Sequence, residues 1–364
     1  MEEHLLTEMP KRYPINGTFE LTVRCNLHCK MCLFRHDDSE NEELKKKELT
    51  AEQWIALGKQ IADAGTLHLL ITGGEPMIRP DFCEIWKELY HMGFFLQLYT
   101  NATMVTPEIM ETLRKYPPHQ IGVTIYGASE EVYKKVCGNG NAFQKMIKAV
   151  KEFQKLPSII DYRTTVIQDN YNDIENMERL VKEVFHSSQV LSQTQMVMKS
   201  VRGGCAKVEN CRLTPKQNVD LYFRRSMEKV RDIVGAERFD ANCVRYRIDS
   251  DANKQKAVKQ KFTLFGCDAG MNDYTITYDG KLQGCQILGQ FSTDAVKDGF
   301  LQAWKEYPLT VKRKAHTNPK CATCKNVDAC WSCAASRYAE TGDFEEISDY
   351  VCETTKEYVR YIDK

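Results

Sequence analysis

From residue 18 to about residue 200 the chain switches repeatedly between two hydrophobic periods. Short apolar runs rich in β-branched and aromatic residues read as strands: "TFELTV", "LHLLIT", "FLQLYT", "IGVTIY", "YRTTVI" and "TQMVMK". Between them apolar positions recur every three or four residues, as on one face of a helix. Trp54, Leu57 and Ile61 form such a face, opened by a capping box of Thr50 with Gln53 and closed at Gly65. Thr106 followed by Pro107 opens the next, with Ile109, Met110 and Leu113 facing inward. Phe143, Met146, Ile147 and Val150 mark a third helix, and Ile174, Met177 and Val181 a fourth. Six strand–helix units in series predict a parallel sheet with right-handed crossovers, either a partial (β/α)6 barrel or a doubly wound α/β sheet. In both, chemistry gathers at the C-terminal ends of the strands.

The pattern then changes. A helix is predicted over 214–234, followed by a polar, lysine-rich connector, "SDANKQKAVKQK". From 262 to 364 there is little regular periodicity, and such a segment needs another source of order, which bound metal supplies. The predicted organisation is therefore an N-terminal extension over 1–17, the barrel over 18–200, a bridging helix and connector over 201–261, and a small cysteine-rich domain over 262–364. With 50 basic and 50 acidic side chains the net charge is zero, which gives no electrostatic reason to expect nucleic acid or an anionic membrane as partner. No apolar run approaches membrane-spanning length and no signal segment opens the chain, so a cytoplasmic protein is expected. In that compartment the ten clustered cysteines, of fifteen in the chain, read as metal ligands or catalytic thiols rather than disulfides. Cys83, Cys137, Cys205, Cys211 and Cys243 are scattered and read as buried small hydrophobes.

Two motifs fall just after predicted strands, at the catalytic rim. "RCNLHCKMC" carries Cys25, Cys29 and Cys32 after the first, and "ITGGEP" carries Gly73, Gly74, Glu75 and Pro76 after the second. Three thiolates in C-x3-C-x2-C are one short of a tetrahedral zinc site and of a fully ligated iron–sulfur cube. Together the two motifs resemble the radical S-adenosylmethionine superfamily. The resemblance implies a four-iron cluster held through three irons by the triad, its fourth iron chelated by S-adenosylmethionine. It assigns Gly73 and Gly74 to close backbone approach at the methionine end of the cofactor, and Glu75 to its ammonium. Less specific cofactor contacts are Thr100 and Asn101 in "YTNAT", Thr124 and Tyr126 in "TIYGAS", Arg163 for the carboxylate, and Met31, where the family usually has an aromatic residue.

At the other end "CDAGMNDYTITYDGKLQGC" places Cys267 and Cys285 around Gly280, and "CATCKNVDACWSC" supplies Cys321, Cys324, Cys330 and Cys333, with Cys352 near the end. In isolation C-x2-C…C-x2-C is a zinc-ribbon signal. With the upstream element and the triad, the set resembles the SPASM extension of radical S-adenosylmethionine enzymes, which implies two auxiliary four-iron clusters, three clusters in all. Cys267, Cys285 and Cys333 would serve the first; Cys321, Cys324, Cys330 and Cys352 the second. The first lacks a fourth cysteine: where some relatives have one, this chain has Asp273, so the resemblance leaves that iron to Asp273, to Cys243, or open, and an open iron could take a substrate thiolate.

For the substrate, sulfatase maturases carry an aspartate directly after the cysteine equivalent to Cys285, and here that residue is Gln286. "IGVTIYGASEEVYKKVCG" instead resembles maturases of ribosomal peptides. The resulting expectation is an enzyme whose 5′-deoxyadenosyl radical abstracts a side-chain or Cα hydrogen from a precursor peptide, forming a thioether or carbon–carbon crosslink. The alternatives are a sulfatase-maturase-like or cofactor-precursor enzyme and, remotely, a zinc-binding protein without catalysis. Asp273, Tyr126 and Glu130 are candidate general bases. Electrons would come from a flavodoxin or ferredoxin. About seventeen residues before the first strand are too few for a leader-recognition domain, so a separate protein, the enzyme itself, or no leader is expected.

Overall fold

The computed structural model describes residues 12–194, 197–199, 202–203, 207–234, 267–311, 324–326, 329–330, 332–344 and 346–362. These fall into two compact units, an α/β unit of 12–211 with 269–310 and a helical unit of 212–234, 267–268, 311 and 324–362. Cys205, Cys243, Cys321, the lysine-rich connector and part of "TQMVMK" lie outside the described residues.

The α/β unit is built on one sheet. β1 (Asn16–Thr22), β2 (His68–Gly73), β3 (Phe95–Thr100), β4 (Gln120–Thr124), β5 (Ile159–Thr165) and β6 (Ser192–Thr194) pair in parallel in chain order. Three further strands continue from β1's other edge: β7 (Asp273–Ile276) runs parallel to β1, and β8 (Lys281–Gln283) and β9 (Thr293–Asp294) follow antiparallel. The spatial order is β6-β5-β4-β3-β2-β1-β7-β8-β9, an open, mostly parallel sheet. This is the partial barrel that the strand–helix alternation predicts, extended by three strands that it does not. The boundary drawn at 262 therefore does not follow the contacts, because 269–310 belongs with the sheet. Arg12 ties the start of the α/β unit to this segment, donating from Nε to the Gly270 carbonyl at 2.6 Å and from Nη1 to the Trp304 carbonyl at 2.8 Å.

The connecting helices start as the sequence dictates. Thr50 caps the helix Ala51–Asp63 in a complete capping box with Gln53, and Thr106 caps Pro107–Lys115, where Pro107 occupies a position that has no use for an amide proton. The strand residues facing these helices are buried: Phe19 lies 4.7 Å from the Trp54 ring, and Leu69, Ile71, Leu96, Leu98, Ile121 and Val123 are nearly inaccessible. Alternation turns Glu20 to the opposite face, where its carboxylate is fully buried and accepts from Arg202 Nη1 at 2.8 Å.

The helical unit packs Pro215–Val234 against Asp349–Ile362. Its centre is aromatic: Phe223 stacks on Tyr361 at 3.8 Å and lies 5.4 Å from Tyr358, with Val219 beside them. Arg212 pairs with Glu340 at 2.7 Å and covers the Tyr350 ring at 3.6 Å. Among the described residues no helix is long and apolar enough to cross a membrane.

Candidate active site

Cys25, Cys29 and Cys32 lie in the loop that leaves β1, at the C-terminal ends of the parallel strands. The loop is fastened before any metal is considered. His28 and Lys30 donate their amides to the carbonyls of Cys137 and Val136, at 3.0 and 3.1 Å, taking up acceptors that the helix Glu130–Cys137 leaves unpaired at its end. Arg24 holds Glu48 at 2.8 and 2.9 Å, and Leu27 and Met31 are buried beneath the loop.

The end of β2 closes onto the end of β1. Gly74 N donates to Thr22 O at 2.7 Å, and Glu75 N to Arg24 O at 3.0 Å. Only glycine permits this approach: a Cβ at Gly73 would sit 2.1 Å from the Thr22 oxygen and one at Gly74 would sit 2.2 Å from the Arg24 oxygen. Gly73 also has a φ of +136°, which side chains rarely adopt. The close backbone partners of the two glycines are therefore the end of β1 and the loop that leaves it.

Glu75 is fully buried. Its carboxylate accepts from the Thr100 hydroxyl at 2.9 and 3.0 Å, the Asn101 amide at 2.8 Å and the Met77 amide at 3.2 Å. Loss of water pushes its pKa up to about 7 against the pull of those three donors. Pro76 opens the short turn that follows.

Asn101, at the end of β3, reaches the triad. Its Nδ2 donates to Cys25 Sγ at 3.6 Å and to Asn26 Oδ1 at 3.0 Å, while its Oδ1 accepts from the amide and hydroxyl of Thr103 at 2.9 and 2.6 Å. Asn26 closes the ring by donating to Thr103 Oγ1 at 2.8 Å. Tyr126, after β4, is buried, and its ring meets Tyr133 edge-on at 5.5 Å. Asn26 and Thr103 were not read from the sequence, because nothing in its spacing links them to a cysteine.

Burial raises all three thiol pKa values, that of Cys25 to about 12 with Glu75 and Cys32 adding to the shift, and Cys25 and Cys32 push Cys29 up further. Such groups stay protonated unless a cation draws off the proton, and that is the donor chemistry a metal cluster demands. Among the described residues no three His, Cys, Asp or Glu side chains are gathered tightly enough to grip a single ion.

Other expected site residues stand apart from the thiols. Arg163 lies across from Thr124 in the β4–β5 register, with its guanidinium 4.1 Å above the Tyr99 ring and 3.5 Å from Asp161. Glu130 is exposed and accepts from Gln144 at 3.0 Å. Asp273 accepts from Asn16 at 2.7 Å and is paired in register with it. It therefore sits where the parallel strands begin, at the opposite end of the sheet from the triad. Of the scattered cysteines, Cys137 and Cys211 are buried and Cys83 is half-buried.

The C-terminal cysteines are divided. Cys285 follows β8 in the α/β unit, whereas Cys267, Cys324, Cys330, Cys333 and Cys352 belong to the helical unit. Gly280, at φ +81°, makes the turn between β7 and β8. Cys333 caps the helix Ala334–Thr341, its sulfur accepting from Ser336 N at 3.4 Å while Ser336 Oγ accepts from Cys333 N at 2.9 Å. Cys267 and Cys324 are exposed.

Residues 19–181 match the family profile described as Radical SAM superfamily. An AdoMet-dependent heme synthase from Methanosarcina barkeri is 26% identical over 344 residues, covering 91% of this chain and 94% of its own length. SuiB of Streptococcus suis, solved with S-adenosylmethionine, is 19% identical with a TM-score of 0.67, covering 94% of this chain and 77% of that one. Native anSMEcpe with bound AdoMet is 17% identical with a TM-score of 0.66, covering 96% of both chains. SuiB has also been solved with its precursor peptide SuiA, and anSMEcpe with the Cp18Cys peptide.

Proposed function

Residues 19–181 form a radical SAM domain and the chain is a radical SAM enzyme; from that premise we propose that it acts on a carbon of a peptide or protein side chain. Cys25, Cys29 and Cys32 would hold the cluster that binds S-adenosylmethionine. When bound, that pair supplies a 5′-deoxyadenosyl radical able to abstract hydrogen from an unactivated carbon. The protein's part is positioning and shelter. Leu27, Met31 and Tyr126 bury the cysteine loop and exclude water, and the Glu75–Thr100–Asn101 network fixes the rim on which the cofactor would lie. Thr124 and Arg163 remain the assigned cofactor contacts at the ends of β4 and β5. The C-terminal cysteines are assigned to two auxiliary clusters, in the sets Cys267, Cys285, Cys333 and Cys321, Cys324, Cys330, Cys352, able to accept the electron released when a crosslink forms. A low-potential flavodoxin or ferredoxin in the cytoplasm is the proposed donor.

The observation that carries the peptide reading is the likeness, over nearly the whole chain, to two proteins crystallised with peptides. A tetrapyrrole substrate is the second reading, favoured by the heme synthase that matches over nearly its full length. Anaerobic incubation of the iron-loaded enzyme with S-adenosylmethionine and reductant separates them. Cysteine-containing peptides encoded beside the gene are expected to lose two hydrogens by mass spectrometry. A mass change in an iron porphyrin carrying propionates, with peptides untouched, selects the second reading. No 5′-deoxyadenosine with either would sink both.

A further inference from the structure

We propose that Glu48 is a positioning residue: it fixes Cys25 relative to the turn 73–76 and thereby sets how tightly S-adenosylmethionine binds. The proposal rests on the reading that the triad holds a four-iron cluster and that this turn lines the cofactor.

Glu48 precedes the helix Ala51–Asp63, outside both cofactor motifs, and its side chain is only 6% exposed. Oε1 accepts from Arg24 Nε at 2.8 Å and from the Thr22 hydroxyl. Oε2 accepts from Arg24 Nη2 at 2.9 Å and from Arg79 Nη1 at 3.4 Å. Thr22 Oγ1 in turn accepts the Arg24 amide at 3.0 Å, so one carboxylate organises the backbone that leads directly into Cys25.

Arg79 carries the same tie to the segment that follows Pro76. Its Nη1 also donates to the Leu21 carbonyl at 3.0 Å and its Nη2 to the Leu49 carbonyl at 2.9 Å. Asp81 takes Nε at 2.9 Å and Nη2 at 2.6 Å, which leaves the guanidinium one orientation. Glu48 itself is held in place by its neighbour, since Leu49 N donates to the Tyr278 carbonyl at 2.8 Å, just beyond β7.

Burying a carboxylate between two guanidiniums is a poor route to stability, because apolar side chains of similar volume often do as well. What the arrangement supplies is direction, since a guanidinium gripped at two points cannot swing. Both segments so directed belong to the site: the cysteine loop and the end of the GGEP turn. The β-ladder does not set their separation alone, because the pairing of β1 with β2 shifts register between Glu20 and Thr22. A ligand that must reach both the cluster and the turn is sensitive to that separation.

The test is a titration of the full, iron-loaded, reduced chain with S-adenosylmethionine. It is read in the electron paramagnetic resonance signal that is missing from Cys32→Ala. Glu48→Gln keeps the size of the side chain and removes its charge; it is expected to keep wild-type iron content and weaken binding at least about tenfold. Arg24→Lys keeps a charge but loses the two-point grip. It should behave alike, and the double variant should be no weaker than the worse single one. Ile61→Ala, at a buried position of the helix Ala51–Asp63, controls for general loosening: the unfolding midpoint should fall with affinity unchanged. Wild-type affinity in Glu48→Gln, or an equal loss in Ile61→Ala, overturns the proposal while leaving the cluster assignment standing. If Glu48→Gln does not load iron, Arg24→Lys decides by the same readings. A wild-type chain whose triad signal does not respond to S-adenosylmethionine would instead remove the underlying reading.

Discussion

The cysteines at the two ends of this chain are ordered by different means. Those of the triad lie within eight positions of one another, on a loop tied to a helix end, to β2 and to a buried network at the end of β3. The described ones at the C-terminus are shared between two units: Cys285 follows a short strand, Cys333 caps a helix, Cys352 lies within the last helix, and Cys267 and Cys324 are exposed. The first arrangement exists because the sheet exists, so metal adds chemistry to a frame already built. The second is drawn from two units rather than from one loop, and there metal binding and folding should be one process.

The sharpest way to break this contrast is to remove a ligand at the sheet end. Cys32→Ala should abolish reductive cleavage of S-adenosylmethionine, read as 5′-deoxyadenosine, while circular dichroism and the unfolding midpoint of the α/β unit stay near wild type. Surviving cleavage would show that the triad does not hold the cofactor's cluster. Collapse of the α/β unit would show that its loop depends on metal after all.

Removing all iron should then act on the other end. With a chelator under reducing conditions, limited proteolysis is expected to cut within 324–362 at sites protected in the loaded protein. The α/β unit, 12–211 with 269–310, should persist. Equal protection with and without iron would mean that the helical unit's aromatic packing around Phe223, Tyr358 and Tyr361 suffices alone. With the three proposed cubes of four, iron analysis of the same samples should fall from about twelve atoms per chain to none.

How much of this was legible in the sequence follows from the same contrast. β1 to β5 are long enough for alternating burial to show, and the Thr50 and Thr106 caps are local, four-residue signals. The triad and GGEP are likewise contiguous. β7, β8 and β9, at four, three and two residues, are too short for a period to be counted. Without them Asp273 looked like a group close to the chemistry. Once β7 is seen to pair with β1 in parallel register, that residue lies at the opposite end of the strands. The contacts of Glu75 with Asn101 and of Asn101 with Cys25 cross 26 and 76 positions of sequence, and only the sheet order brings them together. The stacking of Arg163 on Tyr99 depends likewise on the β3–β4–β5 order.

A smaller effect tests whether the rim is built independently of metal. Glu75 has its pKa raised from 4.5 to about 7 by burial. A raised carboxyl pKa contributes stability that is fully present below the unfolded value near 4.5 and lost as pH rises through about 7, because ionisation is harder in the fold. Two and a half pKa steps correspond to about 3 kcal/mol. In iron-free protein, urea unfolding followed by the fluorescence of buried Trp54 and Trp86 should lose about that much stability between pH 4.5 and pH 8 relative to Glu75→Gln. Parallel pH curves for the two proteins would show that Glu75 is solvated and that the rim opens without its cluster.

The smallest expected effect compares two helix caps. Thr50 caps Ala51–Asp63 in the α/β unit, and Cys333 caps Ala334–Thr341 in the helical unit, each inside a capping box. Thr50→Ala removes one acceptor from an amide at the helix start and should cost about 1 kcal/mol of α/β stability, with iron content unchanged. Cys333→Ser is the opposite kind of change. Serine is a favoured cap and can accept from Ser336 N as the sulfur does, so the helix start survives while a soft metal ligand is lost. If order in the helical unit comes from metal, this conservative change should raise its protease sensitivity and lower iron content, with the α/β unfolding midpoint unmoved. If the cap is all that Cys333 provides, the serine protein will match wild type in both readouts, and the contrast between the two ends of the chain loses its clearest support.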